Sequence, residues 1–450
     1  MSSTRNGSHA ATEGAHADSS DDSVLVWKFG GTSVRDHDRL RAVAERMVAA
    51  QRAGHRVVAV LSAMGKSTDE LSGMAYRMSS RPQMRELDAL LSVGEQISCA
   101  LASMAVHELG SRAVSFNGAQ AGILTDQTHG NARLREINPE RITAALDDGA
   151  IALVTGFQGV SADGAVTTLG RGGSDASAVA VAAALGVSEC DIFTDVPAVF
   201  TADPRVVPDA RRLSELRHEE MLEMAEAGAG VLAPRSVELA AAHGVDIHLR
   251  SSFTNEPGTW IRRGGPSLHT TFEDTQVAGV AHRRQEPLYT AEGVSAARVS
   301  AALAARGAAV GAMLPADGAL RFTAPGVELE EVAAALGTLG AEISEQRELG
   351  SVSVVSLGIA RKPALVARAL STLADAGIEP EFVTTTPGRV TVHVPSGQVE
   401  DAVRLLHDTF IPKAPAVPVT EAAMTAEAAV VRAAEAIVTD LREAAPRGAA

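Results

Sequence analysis

The chain has 450 residues, 46% of them hydrophobic and 21% charged, a composition typical of globular proteins that excludes disorder along the whole length. Its 40 basic and 55 acidic residues give a formal net charge of −15, which argues against binding to the phosphate backbone of nucleic acids. No run of about 18 strongly apolar residues is evident, so we expect no membrane span and no membrane partner. The length predicts about three domains.

The cysteines and the amino terminus favour a cytoplasmic location. Cys99 and Cys190 cannot form a disulfide framework and lack the spacing of a metal site, and their apolar neighbours predict buried thiols. Residues 1–22 are polar and contain no apolar segment, which is typical of a disordered tail and not of a secretory signal.

Residues 23–265 are predicted to form one large α/β domain. Short apolar strands alternate here with helical patterns, an order that favours a mainly parallel sheet covered by helices. The segment 254–270 is rich in Gly, Pro and Thr and marks the exit from this domain. The predicted strands are 24–29, 57–61, 113–116, 151–155, 190–194 and 245–250, and the predicted helices are 40–48, 139–147, 175–185 and 217–243.

The rest of the chain is predicted to hold two small α+β domains and a tail. Residues 277–348 and 349–411 are assigned to separate domains, of which the second has the more regular pattern. Residues 412–450 begin with a Pro-rich stretch, and the Ala-rich amphipathic pattern at 419–443 predicts a terminal helix. The elements predicted in the second domain are strand 353–357, helix 363–376, strands 381–385 and 389–394, and helix 399–408.

The first motif, Lys28-Phe29-Gly30-Gly31-Thr32-Ser33, lies at the end of the first predicted strand. Paired glycines let the backbone approach an anion closely, and the helix that follows offers free N–H groups and the positive end of its dipole. A lysine just before them can neutralise charge on a phosphate that is being transferred. The motif favours a phosphate site, although a solvated lysine beside a glycine turn would give the same pattern.

Two further segments carry polar side chains at the ends of predicted elements. In the stretch 169–175, Arg171 suits a bidentate grip on a carboxylate, and Ser174 and Asp175 stand where a helix N-cap is expected. In the stretch 193–205, a strand leads into a loop with acidic, hydroxyl and arginine side chains, which could form the edge of a nucleotide site.

Together these motifs resemble the signature of aspartate kinase, a branch of the amino-acid kinase superfamily. The resemblance covers residues 24–262 with the motifs in family order, and the two C-terminal units resemble the tandem ACT domains of that family. The matching segments are 28–34, 62–69, 92–95, 156–159, 169–175 and 194–205.

The resemblance implies an α/β amino-acid-kinase fold with C-terminal α+β ACT-like domains. It also implies ATP-dependent phosphorylation of the side-chain carboxylate of L-aspartate, with Mg²⁺ held mainly by the nucleotide phosphates and with no metal site made by the protein alone. A homodimer or higher homo-oligomer through the ACT-like domains would be expected.

The resemblance also assigns roles to individual residues. Lys28 and Asp175 would be catalytic, with Lys28 stabilising the transferring phosphoryl group and Asp175 orienting Lys28 or a Mg²⁺-bound water. Glu95 would hold the substrate ammonium group and Arg171 its α-carboxylate. The implied substrate-binding residues are Ser62, Thr68, Glu95, Phe157, Arg171, Gly172, Gly173 and Ser174. The implied nucleotide-binding residues are Lys28, Phe29, Gly30, Gly31, Ser33, Ser174, Thr194, Asp195, Phe200, Asp203, Pro204, Arg205 and Gly230.

The sequence departs from the family pattern in the segments implied to bind the nucleotide. Gly230 and Ala233 stand where the family has Lys and His, and Phe200 stands where it has Tyr. The family lysine contacts nucleotide phosphates, so Arg205 or Arg235 would have to replace it. Two alternatives therefore stay open: a specialised paralogue that phosphorylates another amino acid or carboxylate, and a weakly active kinase-fold protein that acts by binding.

Overall fold

The computed structural model describes residues 23–264 and 277–412, except for residues 307, 317, 326 and 328. The predicted tail at 1–22 and the predicted helix at 419–443 lie outside the described residues. The described part of the chain forms an N-terminal α/β domain followed by two small units, each built on a four-stranded sheet.

The N-terminal domain alternates strands and helices, as predicted. Its strands are β1 (Val24–Phe29), β2 (Arg56–Leu61), β3 (Ala113–Phe116), β4 (Ile123–Thr125), β5 (Leu134–Ile137), β6 (Ile151–Thr155), β7 (Gln158–Ser161), β8 (Val166–Thr168), β9 (Glu189–Thr194), β10 (Glu215–Arg217), β11 (Asp246–Ser251) and β12 (Thr259–Arg262). Its α-helices are α1 (His37–Arg52), α2 (Ser67–Met78), α3 (Met84–Leu91), α4 (Val93–Glu108), α5 (Glu140–Asp147), α6 (Gly173–Ala184), α7 (His218–Glu226) and α8 (Pro234–His243).

One eight-stranded sheet, in the order β10-β12-β11-β9-β1-β2-β6-β3, is the centre of this domain. Its neighbouring strands run parallel except for the β11–β12 pair. Central strands such as β6 are buried at every residue, because helices cover both faces of the sheet. One apolar core lies on the α1 and α4 side and another on the side of α6, α7 and α8. The predicted fold class is confirmed.

A second, smaller sheet in the order β5-β4-β7-β8 stands beside the large one. Strands β7 and β8 are antiparallel and continue into the stretch 169–175. The sequence did not predict this sheet, because its strands are only three or four residues long and alternate weakly.

Two predictions for the N-terminal domain need correction. Residues 217–243 are not one helix but two, since the chain breaks between Glu226 and Pro234 around Gly228, which has a φ of 108°. The predicted exit segment contains the strand β12, which pairs with β10 and β11.

The helical stretch Met84–Glu108 is long and apolar enough to be a candidate membrane span, the one such stretch among the described residues. The stretch contains Arg85, Asp88 and Glu95, so it is not a continuous run of strongly apolar residues. The stretch covers α3 and α4, and α4 packs Cys99, Ala102 and Val106 into the core beneath the sheet. A core helix meets the same criteria as a membrane helix, so the finding is weak support for a span.

The C-terminal part contains strands β13–β20 and helices α9–α12. The strands are β13 (Gly279–Arg283), β14 (Leu288–Glu292), β15 (Met313–Ala316), β16 (Ala319–Thr323), β17 (Ile343–Gln346), β18 (Leu349–Val355), β19 (Phe382–Thr385) and β20 (Arg389–Pro395). The helices are α9 (Ala296–Ala304), α10 (Leu329–Leu336), α11 (Pro363–Asp375) and α12 (Val399–Phe410).

The two small sheets differ in strand order along the chain, because the first unit is inserted between β13 and β18 of the second. Strands β14–β17 form one unit in the order β15-β16-β14-β17, whereas the other sheet has the order β13-β18-β20-β19. The edge strand β13 thus precedes the first unit in sequence and pairs antiparallel with β18 of the second. The predicted division into 277–348 and 349–411 is therefore corrected, because β13 belongs to the later sheet.

The second small unit packs directly against the N-terminal domain. Ala202, Val206 and Val207 are buried in the same apolar cluster as its helices α11 and α12. Thr201 joins this contact, since its backbone oxygen accepts from Val280 N at 2.7 Å and its hydroxyl lies 2.9 Å from a buried His407. The segment 200–207 is therefore a structural link between the two domains.

Candidate active site

A cleft of about 260 Å³ opens at the carboxyl ends of β1, β2 and β6. Open α/β sheets bind their ligands at this edge. Both predicted catalytic residues and all eight predicted substrate-binding residues line the cleft. The lining residues are Lys28, Gly31, Ser62, Ala63, Gly65, Thr68, Glu95, Phe157, Gly170, Arg171, Gly172, Gly173, Ser174 and Asp175.

Lys28 and Asp175 form an ion pair at one wall of the cleft. The Lys28 Nζ–Asp175 Oδ1 distance is 2.5 Å, and each residue is 8% exposed. Asp175 lies in the first turn of α6, where the helix dipole stabilises a carboxylate. The N-cap of α6 is Gly172, so the prediction that Ser174 and Asp175 stand at the cap is wrong, and both side chains are available to the cleft.

Glu95 on α4 adds a further carboxylate to the cleft lining. Its Oε1 accepts a hydrogen bond from the Ala63 N–H at 3.1 Å, whereas its buried Oε2 has no hydrogen-bond partner among the described residues. Gly94 makes this approach possible, because a Cβ there would lie 2.8 Å from the Ala63 Cβ. Burial of this 2%-exposed residue raises the pKa of Glu95 to about 7. The site therefore holds a carboxylate oxygen that lacks a donor.

Arg171 stands on a tight turn between β8 and α6. Gly172 has a φ of 72°, and a Cβ there would lie 2.1 Å from the Cβ of Ala233, so both conformation and space require glycine. The Arg171 side chain is exposed and makes no hydrogen bond or ion pair with the described residues. A guanidinium with all its donors free can bind an anionic ligand in the cleft.

Phe157 is the one described non-glycine residue with a positive φ, at 69°. Its N–H donates to Ser177 Oγ at 3.2 Å, and its carbonyl accepts from the Leu169 N–H at 2.8 Å. Such strain persists only where the surroundings fix it, and it is common in binding sites. The conformation brings Phe157 into the cleft beside Gly173.

The predicted phosphate motif contributes only Lys28 and Gly31 to the cleft lining. Phe29 is buried and stacks on Phe193 with ring centroids 4.8 Å apart. The Gly30 N–H donates to the Phe193 carbonyl at 3.1 Å. The buried Ser33 hydroxyl lies 2.5 Å from the Ser252 hydroxyl. The Gly30 N–H and the Ser33 hydroxyl therefore already have partners within the chain.

The other predicted nucleotide-binding residues do not line the cleft, with the exception of Ser174. The Thr194 hydroxyl donates to Asp195 at 3.1 Å, at the exposed end of β9. Asp203 and Arg205 form an ion pair at 2.7 Å, and this hydrogen-bonded arginine lowers the pKa of Asp203. Phe200 pairs with Arg212 in an isolated bridge, and Pro204 is exposed beside Arg205.

Gly230 is exposed in the loop between α7 and α8 and is not part of the cleft lining. This loop touches the cleft through Ala233, which packs on Gly172. Arg235 donates to the carbonyls of Leu169 and Ala132, both at 2.7 Å. Arg235 is therefore occupied by two carbonyls, whereas Arg205, 87% exposed in its side chain, pairs with Asp203 outside the cleft lining.

Sequence reasoning omitted three residues of the lining, namely Ala63, Gly65 and Gly170. All three lie inside segments that carry the resemblance, so motif position alone could have found them. Their contribution comes from the backbone, since they have little or no side chain.

Comparison with known proteins identifies the family. Residues 23–251 match the amino acid kinase family and residues 352–410 match an ACT domain. The aspartokinase of Mycolicibacterium smegmatis is 43% identical over 405 residues, which cover 86% of this chain and 96% of the relative. The aspartokinase of Geobacillus stearothermophilus is 42% identical over 399 residues, covering 86% and 97%.

The chain belongs to the aspartokinase family.

Solved structures agree with this assignment to the aspartokinases. The aspartate kinase of Synechocystis is 34% identical, with a TM-score of 0.50, and the match covers 88% of this chain and 71% of that one. Aspartokinase III of E. coli, solved with aspartate and ADP, has the same fold, with a TM-score of 0.73 at 22% identity and coverage of 87% and 100%. The predicted resemblance is confirmed, and with it the prediction of an aspartate kinase.

Proposed function

We propose that this cleft transfers the γ-phosphoryl group of ATP to the side-chain carboxylate of L-aspartate, giving 4-phospho-L-aspartate and ADP. The observation that carries the proposal is one cleft lined by a partner for each charged group of the substrates: Glu95 for an ammonium, Arg171 for a carboxylate and Lys28 for a phosphoryl group. The two relatives at 42–43% identity, both aspartokinases, support the same reaction.

The substrate carboxylate is already ionised at neutral pH, since an aspartate side chain has a pKa of about 3.9. One of its oxygens attacks the γ-phosphorus, the bond from this phosphorus to the bridging oxygen breaks, and ADP leaves with the electron pair. No general base is needed, so catalysis depends on positioning and charge neutralisation. Lys28 stabilises the equatorial oxygens of the transferring group, and Asp175 fixes the position of the Lys28 ammonium through their ion pair.

The amino-acid end is recognised by opposite charges at two sides of the cleft. The free Oε2 of Glu95 accepts a hydrogen bond from the substrate ammonium, and the free guanidinium of Arg171 binds the α-carboxylate. Ser62, Thr68 and Ser174 offer hydroxyls from the lining to the side-chain carboxylate, while Phe157, Gly172 and Gly173 limit the length of the substrate.

We propose that ATP reaches Lys28 across Gly31 and the first turn of α6, with its base towards the edge at 194–205. Mg²⁺ would be held mainly by the nucleotide phosphates and would supply neutralisation of their charge. Among the described residues no group of three or more His, Cys, Asp or Glu side chains comes together. A single carboxylate such as Asp175 together with phosphate oxygens is a common setting for Mg²⁺, and it fits this cleft.

The remaining proposals concern assembly and location. We propose a homodimer or higher homo-oligomer through the C-terminal units, whose sheets have β19, β15 and β17 as edge strands that can pair with another chain. We also propose a cytoplasmic location, which the two buried free cysteines, Cys99 and Cys190, support.

A hydroxamate-trapping assay tests the proposed reaction, because hydroxylamine captures acyl phosphates. The purified protein is incubated with ATP, Mg²⁺ and one of a panel of amino acids and dicarboxylates. Turnover with L-aspartate supports the proposal. Turnover with another substrate alone would favour a specialised paralogue, and no turnover with retained aspartate binding would favour a binding protein.

A further inference from the structure

Asp88 is a fully buried carboxylate that lies outside every motif and does not line the cleft. A buried charge of this kind is tolerated only where hydrogen bonds satisfy it. Asp88 lies within 2.7 Å of His129 Nδ1 and accepts from the Thr168 hydroxyl at 2.6 Å. Its two oxygens also share the Gly130 N–H at 3.0 and 3.1 Å. One side chain of α3 therefore binds two other chain segments.

Both segments border the turn that carries Arg171. Thr168 is the last residue of β8, and the turn follows it directly. The Gly130 carbonyl lies only 3.1 Å from the position that a Cβ would take on Gly170, so the turn rests on the Gly130 loop. The Ala132 N–H strengthens this contact by donating to the Thr168 carbonyl at 2.8 Å.

Arg235 holds the same turn from the side of α8. Its guanidinium bridges the carbonyls of Leu169 and Ala132, one on each segment. The Arg171 side chain, in contrast, has no polar partner among the described residues. The position of its guanidinium is therefore set by the backbone of the turn, and this backbone depends on Asp88 and Arg235.

We propose that Asp88 is a positioning residue for the amino-acid site, acting through the turn that presents Arg171 to the substrate carboxylate. The proposal rests on the proposed function, in which Arg171 binds the α-carboxylate. In this proposal, the affinity for the amino acid depends on a residue of α3 that does not line the cleft, as well as on the lining residues.

The test is Asp88→Asn, which keeps the shape but turns one acceptor oxygen into a donor that faces other donors. The KM for aspartate should rise roughly tenfold, while the KM for ATP should change by less than about twofold. The matched control is Asp191→Asn, which makes the same change at another Asp–His pair, with His248 at 3.0 Å, outside the cleft lining. It should leave the KM for aspartate unchanged.

A double-mutant cycle with Arg171→Lys identifies the route of the effect. If Asp88 acts through the turn, Asp88→Asn should raise the KM for aspartate by a smaller factor in the Arg171→Lys background than in the parent. Equal factors in both backgrounds, or an unchanged KM in a folded Asp88→Asn protein, would overturn the proposal.

Two milder variants decide the matter if Asp88→Asn does not fold. Thr168→Val and His129→Gln each remove one hydrogen bond to Asp88. Each should raise the KM for aspartate by a smaller factor than Asp88→Asn. An unchanged KM for aspartate in both variants would contradict the proposal. Failure of the proposed function can be distinguished from failure of this proposal, because the parent protein itself would then form no aspartyl phosphate in the hydroxamate assay.

Discussion

Lys28 has two tasks, because it faces the cleft and also neutralises the buried Asp175. Lys28→Met should lower kcat by about 10²–10⁴, since one positive charge on the transferring group is lost. It should also reduce the free energy of unfolding by roughly 3–5 kcal/mol, because a buried carboxylate remains without its cation. Turnover near the parental value in the hydroxamate assay would remove Lys28 from catalysis.

The double variant Lys28→Met/Asp175→Asn is the control for the structural task. It removes both charges, so urea denaturation should show most of the lost stability restored while kcat stays low. A double variant that is no more stable than Lys28→Met would show that the ion pair does not set the stability of this wall.

Glu95 makes aspartate binding depend on pH. Its pKa of about 7 means that the free enzyme carries a neutral carboxyl below neutral pH, which cannot attract an ammonium group. The kcat/KM for aspartate should therefore rise up to about tenfold per pH unit below pH 7 and level off above it. Glu95→Gln should have a low kcat/KM without this dependence, and a flat parental profile between pH 6 and about 8 would contradict the role.

The same raised pKa has a consequence for stability. The pKa of Glu95 is raised from 4.5 in an exposed carboxyl, so the folded state binds this proton more tightly than the unfolded state. Stability contributed by the neutral form is lost as the pH rises through about 7. The loss accumulates between pH 4.5 and about 7, and Glu95→Gln removes it, so the free energies of unfolding of the two proteins should diverge in favour of the variant across this interval and differ by a constant amount above it.

At the scale of elements, the loop between α7 and α8 can be tested for nucleotide binding. Gly230 is exposed, has no positive φ, and meets nothing nearer than the Gly228 carbonyl at 4.0 Å, so a side chain fits there. Gly230→Lys should lower the KM for ATP, since a charge-assisted contact to phosphate contributes about 1–3 kcal/mol, or roughly 5–150-fold. Gly230→Gln is the control, because it adds a long side chain at the same backbone position without the positive charge.

An unchanged KM for ATP in a Gly230→Lys protein with a normal melting curve would place the loop away from the phosphates. In that case, the absence of a lysine at position 230 of the parent protein would not affect its affinity for ATP.

The sequence predicted strands and motif residues well but did not predict contacts between segments that are distant in the chain. Strands such as β1 and β6 were predicted at their observed bounds, because continuous apolar runs in a two-sided sheet leave a clear pattern. Motif residues in the cleft were also found. The contacts of Gly30 and Ser33 were not predicted, since their partners Phe193 and Ser252 are far away in the sequence. Asp88 carries no sequence signal at all, because its three partners are adjacent only in the folded chain.

At the scale of the whole molecule, Arg389 of β20 is a principal contact between the domains. It forms ion pairs with Glu223 and Glu226 of α7, the latter at 2.8 Å, and is 19% exposed in its side chain. Arg389→Met should lower the free energy of unfolding by roughly 1–3 kcal/mol, because the partly buried Glu223 and the more exposed Glu226 both lose their cation. The KM for ATP should rise as well if α7 shifts the loop that follows it.

The matched control is Arg112→Met, which breaks an ion pair with Asp148 whose partners are both about two-thirds exposed. Exposed pairs contribute only about 0–1 kcal/mol, so this variant should melt close to the parent. Equal losses in Arg112→Met and Arg389→Met would mean that the interdomain contact adds no more than a surface pair.

The nested order of the two small units restricts where this chain can be divided. A protease cut or an internal translation start between Arg283 and Leu349 would yield a C-terminal fragment that lacks β13, and β18 would become an open edge that invites aggregation. A fragment that begins before Gly279 keeps both sheets complete. Conversely, Arg283 and Ser351 face each other across the β13–β18 pair, so a short connection from β13 to the start of β18 could replace β14–β17. The first unit can thus be deleted without loss of a strand from the second, whereas the second unit requires β13, which precedes the first unit in sequence.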